Sequence, residues 1–142
     1  MKDYPITSTE PGHGLSGTTP LHANRKCEEI PCVIYLSEVS HNYDSHGYIY
    51  GGGLYRRGHM ENALVGKSSE QLKEMKVSIP SIESIDYTFE LSEKAEVGAT
   101  AIMAFRFQIF VTRSDVCLIR GIHRNDPIII GLYSSQGEEI KR

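Results

Sequence analysis

The chain has 142 residues and a formal net charge of -3, from 15 Lys and Arg against 18 Asp and Glu, with 39% hydrophobic residues and 13 glycines. A chain of this length suits one domain that buries about 68% of its unfolded surface, so it needs neither disulfides nor metal, and it is too short for a multidomain enzyme. The acidic balance disfavours nucleic acid as a partner. No apolar run approaches the roughly 20 residues that cross a bilayer or forms a leader at the amino terminus, which points to a soluble, cytoplasmic protein with no membrane partner.

Residues 1–29 hold Pro5, Pro11 and Pro20 with Gly12, Gly14 and Gly17 and only isolated aliphatics, and no period of 2 or 3.6 survives. They are expected to form an extended or flexible arm, followed by a single α+β domain over 30–142. Ile30, Cys32, Ile34 and Leu36 then alternate with Pro31, Val33, Tyr35 and Ser37, the pattern of an edge strand that Pro31 starts. A loop rich in His, Asn, Asp and Ser is expected at 40–47, and the triple glycine Gly51-Gly52-Gly53 breaks any regular element.

Ser68-Ser69-Glu70-Gln71 resembles a capping box, with Leu72 and Met75 on one helical face, and predicts a short helix over about 69–76. Met60–Val65 is a candidate extension of that helix, interrupted by Gly66. Ile85, Tyr87, Phe89 and Leu91 alternate with polar residues as in a half-buried strand. Ala99, Ala101, Met103, Phe105, Phe107, Ile109 and Val111 continue the alternation in a second, longer one, long enough to demand a bulge or bend. Short polar turns join Val116–Ile122 and Ile128–Tyr133 as consecutive antiparallel neighbours. The expected fold is α+β: a bent antiparallel β-meander of about five strands, four of them sequential within 85–133, with one short helix and the arm.

Two stretches carry residues suited to chemistry. His41, Asp44 and His46 share one turn-rich loop: two imidazoles and a carboxylate can act as a general acid–base set, with His59 as a further group if they gather around an ion. The spacing is not that of a recognised metal motif, and no metal site is assigned. In the second stretch, Tyr48, Tyr50, Gly52, Tyr55, Arg56 and Arg57 combine backbone amides, aromatic faces and forked donors that suit a small polar or anionic ligand, without the order of a P-loop or a dinucleotide fingerprint. Cys27, Cys32 and Cys117 lack the paired knuckles of a zinc site and are expected to be reduced thiols, Cys32 and Cys117 buried in apolar strands.

The patterning is clearer than the chemistry, and the leading expectation is a binding or assembly module without catalytic machinery. The alternative is a small enzyme using the loop at 41–46 beside the Gly/Tyr/Arg segment at 48–58. No cofactor is indicated by any motif. Ile102, Ala104 and Phe110 lie on the face of the long strand opposite its core pattern, so a homodimer formed through that face is expected.

Overall fold

The computed structural model describes residues 28, 30–50, 61–78, 88–104, 115–121, 124 and 126–141. Its contacts divide the chain into two compact units, Met1–Arg106 and Phe107–Arg142.

The first unit contains six strands: β1 (Tyr35–Tyr43), β2 (His46–Tyr50), β3 (Asn62–Gly66), β4 (Lys73–Ser78), β5 (Thr88–Leu91) and β6 (Thr100–Met103). They close into a barrel in the order β1-β2-β5-β4-β3-β6, every pair antiparallel, with β6 returning to β1. Closure removes the free sheet edges that an open meander would leave for association. Because side chains alternate across each strand, one parity points inward, and Val39, Ile49, Ala63, Val65, Met75, Phe89, Leu91, Ala101 and Met103 are all buried. Register aligns Val39 with Ile49 and Ile49 with Phe89, so three buried side chains run side by side across β1, β2 and β5.

The α+β meander expected from sequence is therefore wrong. The described residues contain no α-helix, and β5 and β6, which a meander would make neighbours, lie in different parts of the barrel: β5 pairs with β2 and β4, and β6 with β1 and β3. Nor is there a helix at 69–76; a single 3-10 turn, Ser69–Gln71, leads straight into β4. Ser68 makes no side-chain cap bond, and its hydroxyl donates instead to the Glu70 carboxylate at 2.9 Å. That bond holds the exposed Glu70 carboxyl below its ordinary value. Glu70 to Lys76 are all good helix formers, but Met75 and Val77 also sit at strand spacing, and burial between β3 and β5 outweighs intrinsic preference. The proposed helical extension, 60–65, is largely β3. Gly66 is the last residue of that strand, and a Cβ there would lie 2.7 Å from the Gln71 carbonyl oxygen, so the close approach of the following turn requires glycine.

β1 begins later than expected and shows the opposite parity. Its buried residue is Val39, whereas Leu36 is 55% exposed and points outward. The loop expected at 40–47 is mostly strand, since β1 runs through Tyr43 and Asp44-Ser45 alone turns the chain into β2. Asp44 has φ 49, a left-handed conformation that Asp tolerates better than most residues.

The second unit holds an antiparallel hairpin of β7 (Val116–Arg120) and β8 (Ile128–Tyr133) with a register shift between Leu118 and Ile119. Gly121 opens its connection with φ 83, and a side chain there would strike the Asp126 carbonyl oxygen. The tail folds back on β8, with Tyr133 bridging to Glu139 and the Ile140 amide donating to the Leu132 carbonyl at 2.8 Å. Cys32 and Cys117 are both exposed, against the expectation of buried thiols. The arm at 1–29, apart from Glu28, lies outside the described residues, as do Tyr87 and the long-strand positions Phe105, Phe107, Ile109 and Phe110. No helix among the described residues is long and apolar enough to cross a membrane.

Candidate functional site

Four outward side chains line up across the barrel wall. Register sets His41 of β1 opposite Tyr48 of β2, Tyr48 opposite Glu90 of β5, and Glu90 opposite Ser78 of β4. Directly opposed side chains on one face of a sheet lie close enough to interact. Here they do: the His41 and Tyr48 rings stack with centroids 4.8 Å apart and planes within 6°. The Tyr48 hydroxyl donates to Glu90 Oε2 at 3.0 Å, and the Ser78 hydroxyl donates to Glu90 Oε1 at 3.3 Å. His46, two residues before Tyr48 on the same face, brings Nε2 to 4.0 Å from Glu90 Oε1.

Glu90 is thus the centre of the cluster, holding two hydroxyl donors with an imidazole at ion-pair distance. A carboxylate so placed suits a hydrogen-bond donor or a cation. Glu90 also acts on the Tyr48 phenol. The hydrogen bond to Glu90 is the largest cause raising the Tyr48 phenol above its ordinary 10.0, followed by burial and the charges of Glu90, Tyr43 and Asp44. Since the folded value lies above the unfolded one, the stability this interaction contributes is fully present below about 10 and is lost as pH rises through the folded value. Glu90→Gln is expected to bring the phenol back toward its ordinary value, read from the ultraviolet absorbance of phenolate against pH. An unchanged titration would mean that the hydrogen bond does not form in solution.

The residues of the expected acid–base loop have different partners. His41 engages Tyr48, and its Nδ1 lies 2.9 Å from the Ser40 hydroxyl; His46 turns to Glu90, with Nδ1 3.2 Å from the Ser45 hydroxyl; Asp44 occupies the exposed hairpin tip. Among the described residues no group of three or more His, Cys, Asp and Glu is placed to hold a metal ion. Of the second set, Tyr48 is in the cluster, while Tyr50 is exposed at the end of β2 and its carbonyl accepts from the Ser37 hydroxyl. Gly52, Tyr55, Arg56, Arg57 and His59 lie outside the described residues.

Sequence reasoning missed Glu90 and Ser78, which stand 42 and 30 positions along the chain from Tyr48 and meet it only through barrel closure. The one signal was the polar parity of Glu90 in an alternating strand. It also missed the structural use of Asn42, whose amide clamps the segment before β6: its Nδ2 donates to the Ala95 carbonyl at 2.8 Å, and the Ala95 amide donates to its Oδ1 at 3.0 Å.

The family described as YhfX-like, C-terminal domain, matches residues 34–129. An uncharacterized protein of Escherichia coli strain K12, YhfX, is 42% identical over 141 residues. The alignment takes in 99% of this chain but 36% of that protein, so the chain spans little more than a third of the relative's length. The match extends from the start of the described barrel into β8, and the chain belongs to the YhfX-like C-terminal domain family.

Proposed function

We propose that this chain is a non-catalytic binding and assembly module, working in the cytoplasm through the outer wall of its barrel, with a second copy of itself as a partner. The supporting observation is an outward apolar row in consecutive register, Leu36 of β1 beside Ile102 of β6 and Ile102 beside Leu64 of β3. Ile34, 45% exposed, extends it just before β1. The inward side chains of the described strands are apolar, among them Val39, Ile49, Phe89, Leu91 and Met103, which favours the outer face for binding a partner. Covering aliphatic groups that are only partly exposed contributes roughly 1 kcal/mol each, enough in aggregate to favour association when a whole face is engaged.

Light scattering is expected to give twice the 15.9 kDa monomer mass at micromolar concentration. Leu36→Glu is expected to return the monomer with an unchanged circular dichroism spectrum. A monomer mass that persists as concentration rises would overturn the dimer.

The alternative, a small enzyme acting on a polar small molecule, draws on the Tyr48–Glu90–His46 cluster. It predicts a ligand whose binding is lost in Glu90→Gln and His46→Ala while the assembly state stays the same.

A further inference from the structure

The hairpin of the second unit presents a problem that a second copy does not solve. Val116, Leu118 and Ile128 project from one face and Ile119 and Ile129 from the other, as the paired register and its shift dictate. All five are between 39% and 56% exposed, and Ile130 at the shift is 55% exposed. A two-stranded ribbon is marginal in water by itself, and this one carries aliphatic groups on both sides. A second copy related by a two-fold axis and packed against one face of the ribbon leaves the other face exposed. A partner that covers both faces is a larger body with a cleft.

We propose that β7–β8 is a docking tongue for a separate folded domain of the kind that makes up the remainder of the longer relative. The E. coli protein contains such a body: this chain aligns with 36% of it, and the family is described as a C-terminal domain, so the greater part of that polypeptide lies outside the matched region. A tethered domain reaches a millimolar effective concentration, which lets modest apolar surface suffice for docking. The aliphatic surface lies along the strands, away from the charged connection. The charged residue Arg120 lies at the end next to the Gly121 connection, while Val116 to Ile119 are uncharged and face the uncharged run Ile128 to Tyr133. This reading concerns the second unit and does not depend on the barrel-face dimer.

The test uses the whole E. coli protein with a photo-crosslinking amino acid placed, one at a time, at the positions aligned with Leu118, Ile119 and Ile129. A control site is aligned with Glu138, in the polar tail. Crosslinked peptides identified by mass spectrometry are expected to join all three hairpin sites to the part of the polypeptide outside the matched region, several-fold above the control. Crosslinks confined to peptides from the matched region would assign the hairpin's cover to its own domain, and crosslinks between two copies, seen as doubled mass on a denaturing gel, would assign it to a second copy. Either result, or yields no higher than the control, overturns the proposal. In the isolated chain, Ile129→Asp is expected to lower binding of an apolar dye while leaving barrel unfolding unchanged; no fall in dye binding would show that this surface is not exposed in solution.

Discussion

Phe89→Ala is expected to lower the free energy of unfolding by about 3–5 kcal/mol, because it removes a large side chain that is 1% exposed and leaves a cavity its neighbours only partly fill. Phe89 sits on β5 opposite Ile49 of β2, with the buried Leu91 next on the same face of β5, and it is the largest fully buried side chain described. Domains of this size have total stabilities of roughly 5–15 kcal/mol, so the loss is a large fraction of the whole. Thermal unfolding is expected to fall by at least about 10 °C. A denaturant midpoint that scarcely moves would place Phe89 outside the core and invalidate the inward parity of β5.

The second large effect belongs to Ile49. Ile49→Ala is expected to cost about 2–5 kcal/mol and Ile49→Val about 0.5–1.5 kcal/mol, a graded response that distinguishes a packed site from a solvated one. Ile49 is 0% exposed and is opposed by Val39 on one side and Phe89 on the other. Residues in contact couple energetically, so the Ile49→Ala/Phe89→Ala double variant is expected to depart from additivity by about 0.5–3 kcal/mol. Equilibrium denaturation of the four proteins in that cycle measures it. Strict additivity would mean that the two strands do not pack against each other.

The strands most legible in the sequence are those whose alternation coincides with burial. Phe89 and Leu91, and Ala99, Ala101 and Met103, follow a period of two and all five are buried. The β7–β8 hairpin is equally plain, because two aliphatic runs are separated by a short polar turn containing Pro127. Alternation fails where the outer face is also apolar. The aliphatic series ending at Leu36 has strand periodicity but points away from the core, and pattern alone cannot say which parity faces in. At 69–76 two periods coexist, and the helical one is favoured by residue type until neighbouring strands supply the opposing sheet.

Strand order is the least legible feature. The pairings β1–β2, β3–β4 and β4–β5 join strands consecutive in the chain, whereas β2–β5, β3–β6 and β1–β6 join distant ones, and no residue in β5 or β6 announces that the two are not adjacent. The polar cluster inherits that limit. His41, His46 and Tyr48 stand out as a group of rings near a turn, but their shared partner Glu90 is defined only once β2 and β5 are side by side. The row Leu36–Ile102–Leu64 is similar: Ile102 is identifiable as a residue on the face opposite the core, whereas its two neighbours come from register.

Inside and outside of this domain, and with them the apolar row and the polar cluster, rest on the closed order β1-β2-β5-β4-β3-β6. Cross-strand nuclear Overhauser contacts between backbone protons test that order most directly. The closed order predicts contacts from the β6 backbone around Ile102 to Leu36 on one side and to Leu64 on the other, together with contacts between Tyr48 and Glu90. Contacts from β6 to β5 in place of those to β1 and β3 would restore the open meander and contradict the barrel.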